Sequence, residues 1–305
     1  MAPPTTIVFG VSGNVGSRTA CTAESLGAKV ILASRDLRKP VRDLKPEEEA
    51  SRNFQRIQAD LTRPESIEAA VRSTEAKHAF FYLIHESPDH MRSVVKALKV
   101  SGIEFVVFLS SIGAQGDIKS IPSSSGLPYL HAQVELVLDE IFGAKGYVAI
   151  RPGYFNTNAV GFWSKMLREG EVKMAYPEAT WDWIAPEDIG KVIEANAGKN
   201  AIYLCGPKFV SQRDAAIIFG RGLGKEIKVT TVDEDTEIDE MASRIPRPAA
   251  EMIIKAIGRS YRVDNPSDDV YSSTYEEGAA NLRKYVDPPT SLEEWAEKNM
   301  GLFSS

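Results

Sequence analysis

Cysteine is nearly absent: the 305 residues hold two, Cys21 and Cys205. Two distant thiols build no disulfide framework, Cys-based zinc site or Cys-x-x-Cys redox pair, and both read as small buried hydrophobes. Histidine is scarce too. His78, His85, His90 and His131 lack the paired spacing of a zinc site, and Pro88 breaks any helical His-Glu-x-x-His reading of His85 to His90. No metal is expected. The Gly-x-Ser-x-Gly elbow of the α/β-hydrolases is missing as well. Positive charge is in deficit, with 36 Lys and Arg against 42 Asp and Glu, and a net charge of −6 argues against nucleic acid as the main ligand. No apolar run approaches the roughly 20 residues of a membrane span. The opening Met-Ala-Pro-Pro-Thr-Thr lacks the layout of a signal peptide. The cytosol is therefore the expected compartment, with no membrane partner.

What is present is ordinary globular composition, 43% hydrophobic and 26% charged. Apolar runs alternate with helical periodicity. Strands are expected at residues 7–9, 29–33, 54–59, 79–84, 104–109 and 147–150. Helices are expected at 14–27, 64–74, about 91–100 and 128–142, with an irregular charged connection over 36–53 and a loop over 112–127. The fourth and fifth runs are continuously apolar, as strands buried on both faces require. This pattern predicts an α/β fold, a doubly wound parallel Rossmann-type sheet with the strand C-termini at one edge. After residue 155 the pattern loosens. Helices near 160–169, 186–197, 211–223 and 290–300, with short strands at 171–175, 201–205 and 227–232, suggest a smaller substrate lobe with a few strands returning to the main sheet. The expected division is 1–155 and 156–305. Six acids in the eight positions 233–240 read as a solvated segment.

The most informative motif is Gly10-Val-Ser-Gly13-Asn-Val15-Gly16, placed between the first strand and the first helix. Gly10 permits a tight turn, Gly13 lets backbone approach a phosphate, and Gly16 allows close helix–strand packing. Backbone amides and a helix N-terminus then face a pyrophosphate. Ser12 and Asn14 are placed to add side-chain hydrogen bonds. The second strand ends in Ser34-Arg35 rather than in the acid that favours NAD. A guanidinium pairs bidentately with a 2′-phosphate and Ser34 can donate to it, so NADP(H) is the expected cofactor, with Asp36 as a competing acid nearby. Asp60 and Leu61 are expected at the adenine edge. Leu83 and Ile84, with His85, are expected along the ribose and nicotinamide.

These residues, with Phe108-Leu-Ser110-Ser111-Ile-Gly-Ala114, His131-Ala-Gln-Val-Glu135 and Ile150-Arg-Pro152-Gly153-Tyr-Phe155, resemble the NmrA-like branch of the atypical short-chain dehydrogenases/reductases. The resemblance spans about residues 5–230. It implies a Rossmann fold, NADP binding and one of several activities. The family includes NADP-dependent quinone reductases, isoflavone and benzylic-ether reductases, and proteins that sense NADP without turnover. Acidic fungal members of secondary metabolism are also similar. Its pattern aligns His131 with the usual lysine and Leu127 with the usual tyrosine of Tyr-x-x-x-Lys, so the full pair is missing. The resemblance also sets Pro152, Gly153 and Phe155 beside the nicotinamide.

The remaining candidates are Ser110 and Ser111 to orient a substrate oxygen, and His131, Tyr129 or His85 to move a proton. Trp163, Trp181, Trp183, Phe155, Phe162 and Tyr176 either wall an aromatic-substrate pocket or form the core of the smaller lobe. The expected function is NADPH-dependent reduction of a small aromatic, quinone-like or conjugated carbonyl substrate by a monomer or homodimer. Two alternatives stay open. One is an NADP sensor without turnover, meeting a protein partner through residues 233–240. The other is a cyclase or isomerase on the same fold.

Overall fold

The computed structural model describes residues 4–42, 44–192, 200–261 and 270–303. The chain forms two compact units, Met1–Pro152 with Pro186–Tyr203, and Gly153–Ala185 with Leu204–Ser305. Residues 186–203, assigned by the sequence to the second lobe, thus belong to the first unit.

The first unit runs β1 (Thr6–Phe9), α1 (Asn14–Ser25), β2 (Val30–Ser34), α2 (Pro46–Ser51), β3 (Phe54–Gln58), α3 (Pro64–Thr74), β4 (His78–Tyr82), α4 (Arg92–Val100), β5 (Phe105–Leu109), α5 (Leu127–Phe142) and β6 (Tyr147–Pro152). The second unit begins with α6 (Asn158–Glu169), β7 (Glu171–Met174) and β8 (Thr180–Trp181). The chain then returns to the first unit through α7 (Pro186–Ile189) and β9 (Ala201–Leu204). Part of the helix expected over 186–197 lies outside the described residues.

The main sheet has the order β3-β2-β1-β4-β5-β6-β9. The pairings from β3 to β6 are all parallel. This is the doubly wound Rossmann-type arrangement, with its order reversing between β1 and β4, where such folds bind ligands. Strand alternation sends Ile7, Phe9, Ile31, Phe81, Val106 and Phe108 into one core with α3, α4 and α5. Helix α1 packs on the sheet and against α7. Local signals set the helix limits. Pro64 opens α3, its fixed φ suiting the first turn, and Glu75 closes it in the left-handed conformation at φ +54°. Among its described residues the charged connection 36–53 is irregular except for α2, where the Glu48 carboxylate accepts from the Lys45 amide at 3.1 Å.

The second unit continues with β10 (Val210–Ser211), α8 (Gln212–Gly222), β11 (Lys228–Thr231), α9 (Glu234–Ala242), α10 (Arg247–Tyr261), α11 (Tyr275–Tyr285) and α12 (Leu292–Asn299). Strand β11 pairs with β7 and β10 with β8, so these strands do not rejoin the main sheet, whereas β9 does. Trp163, Trp183 and Phe219 meet in ring contacts at 5.8–6.4 Å, and Phe219 reaches Trp295 at 6.1 Å. Trp163, Trp181, Trp183 and Tyr176 are all buried, so this aromatic cluster is the core of the second unit. Residues 233–240 are mostly solvated, as expected, but they are helical and two of them turn inward. They start α9, capped by Asp233 accepting from the Thr236 amide, with Glu237 and Ile238 buried. Acids in a first helical turn are favoured by the helix dipole, which is why a run of acids is compatible with folded structure here. Among the described residues no helix is long and apolar enough to cross a membrane.

Candidate functional site

A cleft of about 760 Å³ opens at the C-terminal ends of β1, β2, β3 and β4. Four successive strand-to-loop junctions form it. The first brings Gly10 and Ser12, the second Ser34, Arg35 and Lys39, the third Asp60 and Leu61, and the fourth Leu83, Ile84 and His85.

The first junction has no room for a side chain at Gly10 or Gly16. Gly10 has φ +74°, and a Cβ there would stand 2.5 Å from the Tyr82 ring. Its carbonyl accepts from the Gly13 amide at 2.9 Å and closes the turn. A Cβ on Gly16 would lie 2.4 Å from that same carbonyl oxygen, so helix and turn touch backbone to backbone. Gly13 is the N-cap of α1, and no side chain caps it. The amides of Asn14, Val15 and Gly16 precede the first intrahelical bond, from Ser17 to the Gly13 carbonyl, and carry the positive end of the helix dipole. A diphosphate fits this turn, where backbone amides stand at the helix N-terminus.

The second junction is cationic. Arg35 and Lys39 line the cleft, and among the described residues neither side chain makes a hydrogen bond or ion pair. Asp36 is already engaged. Both its oxygens receive the Arg38 guanidinium at 3.0 and 3.2 Å, and Oδ1 also receives the Arg38 amide at 3.0 Å. Those bonds hold the Asp36 carboxyl below its ordinary range. Ser34 is spent locally, its hydroxyl donating to the Asp36 carbonyl at 2.9 Å. At the third junction Asp60 accepts from the amide and hydroxyl of Thr62, each at 2.9 Å, which fixes the turn that carries Leu61.

A family model, the NmrA-like family, matches residues 4–296. The chain belongs to the NmrA-like family. It is 33% identical over 302 residues, 90% of each chain, to the nitrogen metabolite regulation-like protein bik4 of Gibberella fujikuroi. In fold it is similar to the NADPH-dependent quinone oxidoreductase QOR2 of Escherichia coli solved with NADPH, at TM-score 0.69 and 19% identity, over 96% of this chain and 99% of that one. It is also similar to NmrA, a negative transcriptional regulator solved with NADP, at TM-score 0.67 and 15% identity, over 98% of this chain and 96% of that one.

The other candidate residues of this NmrA-like chain fall into three groups. His131 and Tyr129 sit in the first turns of α5, outside the cleft lining. His131 packs against Phe108 at 5.9 Å, and its buried Nδ1 has no hydrogen-bond partner among the described residues. Burial first, then the nearby His85 imidazole, push the His131 pKa down to about 3. It is thus a neutral imidazole at neutral pH, able to hydrogen-bond but carrying no acidic proton to give. Tyr129 meets His90 edge-on at 5.6 Å. Leu127, one turn before His131, packs against the hydrophobic core, so α5 presents no hydroxyl there.

Ser110 and Ser111 end β5 but face different partners. Ser110 is buried and donates to Glu135, which is paired with the Arg151 guanidinium at 2.5 and 3.0 Å. Arg151 also donates to Tyr203 at 2.8 Å. This buried network ties β5, α5, β6 and β9 together. Ser111 accepts from the Gly113 amide at 3.2 Å in the next turn. Pro152 ends β6 and accepts from the Ile112 amide at 3.0 Å. Gly153 and Phe155 belong to the second unit, Gly153 against Asp182 and Phe155 bridged to Ile184.

Sequence reasoning missed Lys39, Tyr82 and the network around Glu135. Lys39 lay in a stretch read as irregular, and its place depends on a fold-back of that loop. Glu135 and Arg151 each stood inside a motif quoted for another residue, and the pairing of two buried opposite charges was a signal that went unused.

Proposed function

We propose that this cleft binds NADP(H) and that the protein is an NADPH-dependent reductase of a small aromatic, quinone-like or conjugated carbonyl compound. One observation carries the cofactor reading. The glycine turn that leads into α1 shares a cleft with two cations that make no hydrogen bond or ion pair among the described residues, while the acid at the end of β2 is occupied by Arg38. A 2′-phosphate calls for cations, whereas an unphosphorylated ribose favours a free carboxylate. The NADPH held by the similar quinone oxidoreductase supports the same reading. NADP(H), when bound, supplies or accepts hydride at the nicotinamide ring.

The chain's own groups then have distinct tasks. The amides of Asn14, Val15 and Gly16 hold the diphosphate, and Arg35 with Lys39 holds the 2′-phosphate. His131, kept neutral, serves as a hydrogen-bonding group toward ribose or substrate oxygen. His85, on the exposed wall of the cleft, carries the proton between solvent and substrate. Ser111 orients the substrate oxygen.

Titration of tryptophan fluorescence with NADPH and NADH tests the cofactor reading. Tighter NADPH binding, lost in Arg35→Ala, is expected, and equal affinities would count against it. Consumption of NADPH with a panel of quinones and enones tests the activity, with turnover lowered in both His131→Ala and His85→Ala. A second reading, an NADP-binding regulator, is supported by the family resemblance, which aligns Leu127 and His131 with the usual tyrosine and lysine, and by the regulatory name of the relative at 33% identity. Tight NADP binding with no turnover of any acceptor would select it. Substrate conversion without NADPH consumption would point instead to an isomerase or cyclase.

A further inference from the structure

The loop that carries Arg35 and Lys39 has no secondary structure of its own, yet its carbonyls are held at every second residue. The carbonyl of Arg35 accepts from the Gln58 amide group at 3.0 Å. The carbonyls of Leu37 and Lys39 both accept from Nη1 of Arg56, at 2.7 and 2.8 Å. Arg56 and Gln58 are two apart on β3 and so share one face of that strand. The rest of the Arg56 guanidinium is fixed from the other side. Its Nε and Nη2 grip the two oxygens of Glu49 at 2.5 and 2.8 Å, and Glu49 stands on the short helix α2. The Arg56 side chain is 26% exposed and that of Glu49 15% exposed, so this fork is shielded more than the surface pair of Arg38 and Asp36.

We infer that Arg56, set by Glu49, is a positioning residue for cofactor choice: it braces the 35–39 loop so that Arg35 and Lys39 stand ready for a 2′-phosphate, without touching the nucleotide itself. The inference rests on the NADP(H) reading above and adds the source of its selectivity. Only a planar guanidinium satisfies the arrangement. Four N–H bonds leave it in two directions, toward a carboxylate on one side and two carbonyls on the other. An ammonium at the same place keeps the charge and loses the fork. Without the brace the loop retains its residues but not their placement. Binding the 2′-phosphate then includes the entropy of ordering five residues. The 2′-hydroxyl of NADH makes no such demand, so its affinity is insensitive to the brace.

The test is a set of dissociation constants for NADPH and NADH, measured on wild type, Arg56→Lys, Glu49→Gln, Arg35→Ala and the double variant Arg35→Ala/Arg56→Lys. Arg56→Lys is expected to weaken NADPH by about fivefold or more and NADH by less than about twofold, with Glu49→Gln showing the same selectivity to a smaller extent. Because Arg56 acts through Arg35 and Lys39, the double variant should lose clearly less NADPH affinity than the sum of the two single losses. Equal loss for both nucleotides in Arg56→Lys, or full additivity in the double variant, would overturn the inference. If Arg56→Lys does not fold, as judged by its thermal melt, Glu49→Gln supplies the deciding ratio. Wild type that shows no preference for NADPH, or Arg35→Ala that loses none, would instead sink the cofactor reading and leave the brace without an object.

Discussion

The two units bury charge by opposite means. In the first, Glu135 is buried against a cation, with Arg151 forking onto its carboxylate and Ser110 adding a hydroxyl. In the second, Asp182 is fully buried and is met by neutral donors: the Tyr271 hydroxyl at 2.6 Å and the amides of Tyr154 and Gly206 at 2.7 and 2.8 Å. Glu237 is buried there as well, accepting from the Ala175 amide at 2.6 Å. Among the described residues no Lys, Arg or His pairs with either acid. Burial drives the pKa of Asp182 upward and that of Glu237 up to about 7. A carboxylate opposite a guanidinium stays a fixed structural part, whereas one held by neutral donors is sensitive to pH.

The largest expected effect comes from breaking the ion pair on one side only. Arg151→Met strands Glu135 and should destabilise the fold by about 3–5 kcal/mol in urea unfolding, whereas Arg151→Met/Glu135→Leu should recover most of that loss. A double variant as unstable as the single one would show that the network matters for packing rather than for charge. Next in size is Asp182→Ala, which takes the side-chain acceptor from the amides of Tyr154 and Gly206 and is expected to cost about 2–3 kcal/mol. A cost below that of a surface substitution would remove Asp182 from the core of this comparison.

The pH slopes come last, and they run in opposite directions. The pKa of Glu237 is raised by folding, so in the window between its unfolded value and about 7 the native state binds more protons. Its contribution to stability is present in acid and fades as pH rises through that window, by on the order of 3 kcal/mol. His131 behaves in reverse. Its folded pKa is depressed from 6.5 to about 3, so stability is lost as pH falls through that range. Glu237→Gln should remove the first slope and His131→Gln the second, read from melting temperatures between pH 4 and pH 8. Either variant leaving the profile unchanged would mean that its group is solvated in the native state.

Much of the first unit was legible because its signals are local. The glycine turn, the Pro64 start of α3 and the apolar runs of β4 and β5 each state their structure within a few residues. The reading failed where a residue's environment depends on distant chain. Residues 233–240 look solvated by composition, yet Glu237 turns inward to cap the Ala175 amide. The tryptophans after β6 fit a pocket wall or a core equally well in one dimension, and only their mutual ring contacts show a core. Strands at 171–174 and 228–231 were foreseen as strands but not as partners of each other, because pairing is not a local property. At the site, Ser110 was expected at the cofactor edge, and the structure binds its hydroxyl to Glu135.

By itself the sequence determined the strand–helix alternation, the glycine-lined first turn and the cation at the end of β2, since each follows from backbone sterics, periodicity and residue chemistry over short spans. Only the tertiary structure decided which charges are neutralised. It closed Arg38 onto Asp36, Arg56 onto Glu49 and Arg151 onto Glu135, and it left His131 without a charge. The physical reason is that ionisation and pairing depend on burial and on neighbours that are remote along the chain, and those exist only once the chain has folded.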